Sequence, residues 1–412
     1  MIASIIVTNF NYSKFLSRCL RSCLGQNITE EYEVILIDDN SKDKSEEIAK
    51  EFQLIKNFKF IKNKKNIGVA ASANKAIRQA KGKYILRVDA DDFISKNSLK
   101  YLVLYLENRT DLFGVASDYN LINKYENKIK IINSKEYPIS CGILYDRIKF
   151  IKNGLYNKNF RHREEEELRI RLGSKYKLEY LHIPLYRYRM HSENKTKQGA
   201  YKLLFKRKIS ILKNNQLLKK IKKEKILNNE KVYGIIPARG GSKRFKLKNI
   251  ANVWGKPMLY WTLQAAKDSK IFDDIYVSTD HKGIEKVAKN NGVKIINREK
   301  NLAKDNVPKI FAVSDAIEKI KKTKKIKKND IIVVLQANSV GITCYDITKC
   351  VYSLKKYKRN EIMSLDKNLM QNAAIRVLKS SSVNQKFLST YCGGVINDAI
   401  DVHYKNDIKK II

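Results

Sequence analysis

The feature that most constrains the fold is a series of short, isoleucine- and valine-rich segments, each followed by turn-forming or charged residues. In residues 1–200 these segments are SIIVTNF, EYEVILIDDN and GKYILRVDADD, and helical patterns beginning near residue 13 and at Ser45 separate them. Such short apolar runs are typical of buried parallel strands. Strands that alternate with helices predict a parallel α/β sheet with right-handed connections.

The same pattern begins again near residue 231, with KVYGIIP, IFDDIYVSTD and NDIIVVLQANS. A chain of 412 residues is long enough for two or three domains. We therefore predict an α/β protein with two Rossmann-like nucleotide-binding domains, residues 1–200 and 231–412, built on mixed, mostly parallel sheets. Residues 201–230 carry apolar residues at helical spacing among many lysines, which predicts a basic helical linker.

The composition narrows the class of protein. The 83 lysines and arginines against 42 acidic residues give a net charge of +41, but the lysines are spread along the whole chain among asparagine and isoleucine. This spread favours a compositional bias over a nucleic-acid interface, so no nucleic-acid partner is expected. Attraction of the basic linker to the inner membrane surface is a secondary expectation.

The chain offers no segment for crossing a membrane and no pattern of paired cysteines. No apolar run approaches the roughly 18–20 residues that span a bilayer. The six cysteines are scattered and include no CxxC pair, which is typical of reduced thiols. We therefore expect a cytoplasmic protein.

Acidic residues follow two of the first three predicted strands. Asp38 and Asp39 end one of them, and Asp89, Asp91 and Asp92 end another. Ligands of parallel α/β sheets bind beyond the carboxyl ends of the strands. Carboxylates in that place suit a divalent cation and a sugar nucleotide. Taken singly, Asp92, like Asp43, fits a turn or helix-capping role equally well.

Together, IIVTNFNYSKFLSRCLRSCLGQ, VILIDDNSKDKS and NIGVAASANKAIRQAKGKYILRVDADD resemble the inverting glycosyltransferases of family 2, which have the GT-A fold. The resemblance runs from residue 2 to about residue 95 and implies a nucleotide-sugar donor and a glycan or lipid-linked acceptor. It implies that Asp39 contacts the base, that Asp89 contacts the ribose and that Thr8 also lies in the donor site. It further implies that Asp91 holds Mg²⁺ or Mn²⁺.

Two later segments extend this resemblance. NFRHREEEELRIRL, residues 159–172, resembles the acceptor motif of the family and implies that Glu165 is the catalytic base, with Glu164 and Glu166 as alternatives. Taken alone, a run of four glutamates also fits a solvated helix face. RYRMHSENKT, residues 187–196, resembles the closing segment of these enzymes and implies that His191 touches the metal or the diphosphate.

In the second half, the strand KVYGIIP runs into ARGGSKRFKLKN. Glycines with arginine, serine and lysine directly after a strand form a cradle for phosphates. The spacing is neither GxxxxGK[ST] nor GxGxxG, which disfavours a P-loop ATPase or a dinucleotide-binding fold.

These segments, with GKPMLYWTLQAAKDSKIFDDIYVSTD, GVKIINREKNLAKD and VVLQANS, resemble the acylneuraminate cytidylyltransferases over residues 232–339. Those enzymes activate nonulosonic acids such as sialic acid with CTP and release pyrophosphate. The resemblance implies that Lys248 is catalytic, that Gln336 binds the sugar acid and that Asp401 binds the metal. It implies CTP binding by Arg239, Gly240, Gly241, Ser242, Lys243 and Asn249.

Two departures from this family concern the sugar and the metal. Where the family usually has Pro-Thr-Ser-Pro-Leu-Arg after Leu-Gln, this chain has residues 337–342, ANSVGI, without the arginine. The late Asp-x-Asp metal pair reads Asp401-Val402-His403, with Asp398 as a substitute. The sequence thus predicts a bifunctional surface-glycan enzyme. The alternative is a glycosyltransferase with a catalytically decayed, nucleotide-sensing or scaffolding second domain.

Overall fold

The computed structural model describes residues 1–160, 162–191, 199–227, 229–242, 244–304, 306–385 and 389–408. The chain divides into two compact units, Met1–Lys197 and Gln198–Ile412.

The first unit is built on one mixed sheet. Its strands are β1 (Ala3–Asn9), β2 (Tyr32–Asp38), β3 (Phe58–Lys62), β4 (Tyr84–Asp89), β5 (Phe93–Ile94), β6 (Gly114–Ile122), β7 (Lys128–Ile132), β8 (Ile143–Asp146) and β9 (Leu178–Arg189). Their order is β3-β2-β1-β4-β8-β6-β9-β5, and β7 pairs with β6 at the side. The first four strands of this order are parallel, β8 is antiparallel to both neighbours, and β9 is parallel to β6.

Helices follow the strands as the sequence predicts. They are α1 (Ser13–Leu24), α2 (Ser45–Glu51), α3 (Val69–Gln79), α4 (Ser98–Glu107), α5 (Arg147–Lys152) and α6 (Glu164–Leu172). The predicted helix starts near residue 13 and at Ser45 are confirmed. Every residue of β1 is buried, since helices cover both faces of a parallel sheet. On α1 the buried residues fall at a helical spacing that forms one apolar face: Leu16, Cys19, Leu20 and Cys23.

The second unit is also built on a mixed sheet, with two short ribbons beside it. The strands are β10 (Val232–Pro237), β11 (Asn252–Val253), β12 (Lys256–Pro257), β13 (Asp274–Thr279), β14 (Lys294–Asn297), β15 (Ile331–Leu335), β16 (Ser339–Val340), β17 (Glu361–Leu365), β18 (Gln371–Lys379), β19 (Cys392–Ile396) and β20 (Ile400–Asp401). The sheet order is β14-β13-β10-β15-β18-β17-β19. The ribbons pair β11 with β12 and β16 with β20. Its helices are α7 (Gly199–Lys223), α8 (Met258–Ser269), α9 (Lys282–Asn290), α10 (Lys309–Lys321) and α11 (Cys344–Lys356).

The segment predicted as a linker is a helix, as expected, but its place differs from the prediction. Helix α7 belongs to the second unit and packs against α11. Ile209 and Ile221 are buried, and Leu217 and Leu218 pack against the core of that unit. The amphipathic pattern therefore serves packing within the second unit, because the apolar stripe is covered by protein.

Neither α7 nor another helix in the described ranges is long and apolar enough to cross a bilayer. All six cysteines are free thiols, and Cys392 is the exposed one.

Candidate active sites

The acidic site of the first unit lies where β2 and β4 end. Both strands are parallel neighbours of β1, so their carboxyl ends meet at the same edge of the sheet. Asp89 is the last residue of β4, and the chain turns directly after it through Asp91 and Asp92. The predicted site residues of this edge are thereby brought close together.

Asp91 and His191 meet in the structure, although they are 100 residues apart in sequence. The Nε2 atom of His191 lies 3.0 Å from Oδ2 of Asp91, and both residues are about 8% exposed. The imidazole packs against the rings of Tyr12 and Phe15. A carboxylate oxygen and an imidazole nitrogen that converge in this way fit the donor set of a divalent cation such as Mn²⁺.

Arg189 holds the turn that carries Asp91. Its Nε donates to the carbonyl oxygen of Asp91 at 2.8 Å, and its backbone N–H donates to Oδ1 of Asp92 at 2.8 Å. The guanidinium also contacts Glu126 and lies over the ring of Phe15. The end of β9 thus fixes the turn that carries Asp91 and Asp92 before the chain reaches His191.

A buried arginine links Asp89, at the end of β4, to Glu164, at the start of α6. Arg87 lies on β4 and donates from Nη2 to Oδ1 of Asp89 at 2.9 Å and from Nη1 to Oε1 of Glu164 at 2.6 Å. The side chains of Arg87 and Glu164 are each 4% exposed, whereas that of Asp89 is 31% exposed. Burial lowers the pKa of Arg87, but the two carboxylates outweigh it and hold the pKa well above its usual range. Asp89 therefore stays accessible to a ligand while Arg87 orients it.

A second cluster in this region brings three possible metal ligands together. Ligand atoms of Asp89, Asp92 and Cys141 lie within 4.8 Å of one another. Burial, together with the charges of Asp91 and Asp89, raises the pKa of Asp92 well above its usual value, and burial also raises the pKa of the Cys141 thiol. Both oxygens of Asp92 already accept hydrogen bonds within the protein, from the Tyr186 hydroxyl and from the Arg189 backbone N–H.

The four glutamates form the first turn of α6, and they do not lie on a solvated face. Glu164, Glu165 and Glu167 are buried, which overturns the alternative reading. Each has its own partner, since Glu164 pairs with Arg87 and Glu166 with Arg163.

Glu165 accepts a hydrogen bond of 2.9 Å from the hydroxyl of Tyr176. Burial raises the pKa of Glu165, against the lowering effects of Arg169 and of that hydrogen bond. A carboxylate with a raised pKa is a better proton acceptor than an exposed one.

Two other residues predicted for the donor site, Thr8 and Asp39, also have hydrogen-bond partners within the protein. Thr8 donates from its hydroxyl to Oδ1 of Asp89 at 3.0 Å. Asp39 accepts from the backbone N–H groups of Ile67 and Gly68 at 2.8 Å and from Asn63 at 3.0 Å. The Asp39 carboxylate therefore holds the loop between β3 and α3, and its contact with a base stays a prediction.

In the second unit the glycine-containing loop follows β10, as the sequence predicts. The N–H of Gly240 donates to Oδ1 of Asp280 at 2.9 Å, and Arg239 donates to the carbonyl oxygen of Ala303 at 3.2 Å. A Cβ at Gly240 would lie 2.7 Å from the side chain of His281, so glycine is required there for close packing. Gly241 faces open space.

Two lysine side chains, Lys248 and Lys309, belong to the same region of the second unit. Lys248 donates to the carbonyl oxygen of Val402 at 3.5 Å. Burial and Arg239 lower the pKa of Lys248, opposed by Asp401. Lys309, which the sequence analysis did not single out, donates from Nζ to Oε1 of Gln336.

The other residues predicted for this site differ in their burial and in their hydrogen-bond partners. Asn249 is buried and donates to the carbonyl oxygen of Arg239 at 3.0 Å, and its own Oδ1 has no partner among the described residues. Asp401 accepts from Ser339 and from the backbone of Ala373. The substitute ligand Asp398 is 81% exposed and pairs with Lys206. Ser242 is half-buried. Lys243 lies outside the described residues.

Sequence reasoning missed Arg87, Arg189 and Lys309. Arg87 left one signal, a cation within the otherwise apolar strand YILRVD, where a charge needs a buried partner. Lys309 left none, because it is one of many lysines in a lysine-rich chain.

Comparison with known families gives two separate matches. Residues 4–164 match the model described as glycosyl transferase family 2, and residues 233–387 match the model described as cytidylyltransferase.

Among curated proteins, the chain is 34% identical to the N-acylneuraminate cytidylyltransferase of Oncorhynchus mykiss over 32% of its own length and 30% of that protein. It is 34% identical to the pseudaminic acid cytidylyltransferase of Campylobacter jejuni over 37% of its own length and 55% of that protein. The chain thus spans about a third to a half of these relatives. Among solved structures, TarS of S. aureus in complex with UDP-GlcNAc is 21% identical with a TM-score of 0.46, over 52% of this chain and 67% of that one.

Proposed function

Since this chain joins a family 2 glycosyltransferase domain to a cytidylyltransferase domain, we propose that it is a bifunctional enzyme of surface-glycan synthesis. The first unit transfers a sugar from a nucleotide sugar to a glycan or lipid-linked acceptor with inversion. The second unit activates a nonulosonic acid with CTP. The observation that carries the proposal is the pair of equivalent sheet edges, one where the Asp91 carboxylate meets the His191 imidazole and one with a glycine loop and cations.

In the proposed transfer, Glu165 takes the proton of the acceptor hydroxyl while that oxygen attacks the anomeric carbon. A carbon–oxygen bond to the acceptor forms, the bond to the nucleoside diphosphate breaks, and the diphosphate leaves. The raised pKa of Glu165 and its hydrogen bond from Tyr176 support this assignment. The arginine partner of Glu165, Arg169, lies 3.9 Å away, whereas Glu164 and Glu166 are held by arginines at 2.6 Å. Asp89 and Thr8 hold the donor nucleotide.

Asp91 and His191 would hold the divalent cation, Mg²⁺ or Mn²⁺. When bound, such a cation offsets the negative charge of a leaving diphosphate. Arg189 keeps Asp91 in place for this role through its hydrogen bond to the Asp91 carbonyl.

In the proposed activation, the anomeric hydroxyl of the sugar acid attacks the α-phosphorus of CTP. The new phosphorus–oxygen bond forms as the bond to the β-phosphate breaks, pyrophosphate leaves, and the hydroxyl proton passes to solvent. The backbone of residues 239–242 cradles the phosphates, and Arg239 and Lys248 offset charge that develops on them. Asn249 positions the nucleotide, Gln336 contacts the sugar acid, and Asp401 binds Mg²⁺.

We place these reactions in the cytoplasm, where nucleotide sugars and CTP are made. Peripheral contact with the inner membrane surface would bring the enzyme to a lipid-linked acceptor.

A donor panel tests the first activity. The purified chain, with Mn²⁺ or Mg²⁺, is incubated with UDP-, GDP- and CMP-linked sugars, and release of the nucleotide is measured. We expect release from one class of donor that stops when EDTA is added. Release that is unaffected by EDTA would contradict the metal assignment at Asp91 and His191.

A further inference from the structure

Lys309 is the first residue of α10, and it lies near the carboxyl end of strand β15. Its ammonium group donates to the side-chain oxygen of Gln336, which directly follows β15. Gln336 is itself fixed, because its backbone N–H donates to the carbonyl oxygen of Ala374 at 3.0 Å and its own carbonyl oxygen accepts from Thr262. Lys309 is therefore held at the end of β15 while its side chain is exposed to solvent.

Positive charge is in excess around Lys309. The charged groups near it are the carboxylate of Asp401 and the cations Lys248 and Arg376. Arg376 is already paired with Glu361. One carboxylate thus lies near two ammonium groups, and the direct partner of Lys309 is a neutral amide. Such an excess of positive charge favours an anionic ligand.

A departure from the family pattern explains why a cation is useful here. Ile342, where the resemblance leads one to expect an arginine, is buried in the hydrophobic core. Helix α10 supplies a cation instead, because its first residue, Lys309, contacts the side chain of Gln336.

We propose that Lys309, with Gln336, binds the carboxylate of the sugar acid and selects acidic over neutral sugars. The proposal rests on the cytidylyltransferase function proposed above and assigns the sugar subsite within it. A neutral sugar would leave the ammonium group without an anionic partner, and sites that lose a polar partner reject such analogues strongly. The phosphates of CTP have their own cations in Arg239 and Lys248, in the segment that follows β10.

The test compares Lys309→Met with Lys309→Arg in the full chain. Lys321→Met is the matched control, because Lys321 lies on the same helix and pairs with Glu318 at the surface. Pyrophosphate release is measured with N-acetylneuraminate, pseudaminate and 3-deoxy-octulosonate, and with the methyl ester of the acid that is turned over best.

We expect Lys309→Met to raise the KM of the acid about 10- to 100-fold, the loss that removal of a charge-assisted hydrogen bond causes. The KM of CTP should stay within about threefold of wild type, because other cations bind its phosphates. The preference for acid over ester should shrink in Lys309→Met, and Lys309→Arg should keep most of it.

Each contrary result has one meaning. An acid KM that stays at the wild-type value in Lys309→Met, or an unchanged preference over the ester, would overturn the assignment. A KM that rises for CTP alone would show that Lys309 binds phosphate, which also overturns it. No release by the wild type with any acid would contradict the proposed function itself. If Lys309→Met does not fold, the acid preference of Lys309→Arg and of Lys309→Gln decides the matter.

Discussion

In the first unit the central strand β1 lies between β2 and β4, and in the second unit the central strand β10 lies between β13 and β15. The correspondence continues outward, because β8, β6 and β9 follow β4 in the same order and directions as β18, β17 and β19 follow β15. The chain therefore uses one sheet topology twice.

The two sheets differ in the charge at the carboxyl ends of their strands. The first edge presents Asp89 and Asp91, and the second presents Arg239, Lys248 and Lys309. An acidic edge needs a cation before it can hold a diphosphate, whereas a basic edge can contact phosphates directly. The two proposed chemistries therefore differ because of the side chains at the strand ends, and not because of the fold.

The largest effect is expected from Asp91→Ala, which removes a carboxylate from the proposed metal site. Glycosyl transfer should fall by about a thousandfold or more, as loss of a metal ligand removes its charge stabilisation. CTP binding by the second unit should not change. Nucleotide-sugar turnover and calorimetric CTP titration check this, with the exposed Asp111→Ala as control. Loss of both functions in a folded variant would mean that the sites are not independent.

Glu165→Gln should lower kcat of transfer by about 10²- to 10⁴-fold, the usual contribution of a general base. Glu166→Gln, which changes the neighbouring glutamate that pairs with Arg163, is the matched control and should have a small effect. Donor binding should survive in both, and single-turnover kinetics separate binding from chemistry. A larger loss in Glu166→Gln would move the base to that residue.

The same residue predicts a pH dependence. A general base works when ionised, and burial raises the pKa of Glu165. Transfer should therefore be lost as pH falls, with a midpoint above the ordinary glutamate value of about 4.3. The rate of Glu165→Gln should lack this acidic limb. A wild-type limb at or below the ordinary value would contradict the buried environment.

Arg87→Met should destabilise the chain by about 3–5 kcal/mol, because it leaves the buried carboxylate of Glu164 and that of Asp89 without their cation. Urea unfolding checks the value. The double variant with Glu164→Gln should be less destabilised than the two single changes added together. Additive losses would show that the pair is not coupled.

A positioning role for Arg87 also predicts a kinetic effect. Arg87→Lys should lower kcat more than it raises the donor KM, since Asp89 remains but loses its orientation. If kcat falls and the donor KM rises by the same factor, Arg87 has a structural role only.

The smallest effect is expected from Arg239→Ala. Loss of a charge-assisted phosphate contact, about 1.5–3 kcal/mol, should weaken CTP binding about 10- to 100-fold. Nucleotide-sugar turnover by the first unit should be unchanged. Calorimetry measures the affinity, and the exposed Arg78→Ala is the control. Unchanged affinity would place the triphosphate elsewhere.

Much of the fold follows from local patterns in the sequence. The runs SIIVTNF and KVYGIIP predict the central strands β1 and β10, and both are confirmed. The antiparallel strands β8 and β18, which enter each sheet beside β4 and β15, could not be foreseen because their pairing is long-range.

The site residues also differ in how far the sequence predicts them. Asp91 and His191 were predicted from motifs, whereas the pairing of Arg87 with Glu164 joins residues 77 positions apart. The pairing of Lys309 with Gln336 likewise spans 27 positions. Contacts of this kind depend on the folded chain, and single residue types do not reveal them.

The central claim is that one chain carries two independent chemistries on the same topology. Pyrophosphate release from CTP and Mg²⁺ with a panel of nonulosonic acids, measured on the full chain, tests it most directly. We expect release with at least one acid by the wild type and equally by Asp91→Ala, and much weaker release by Arg239→Ala at limiting CTP. A folded wild type that binds CTP but releases no pyrophosphate with any acid would contradict it and make the second unit a nucleotide sensor or scaffold.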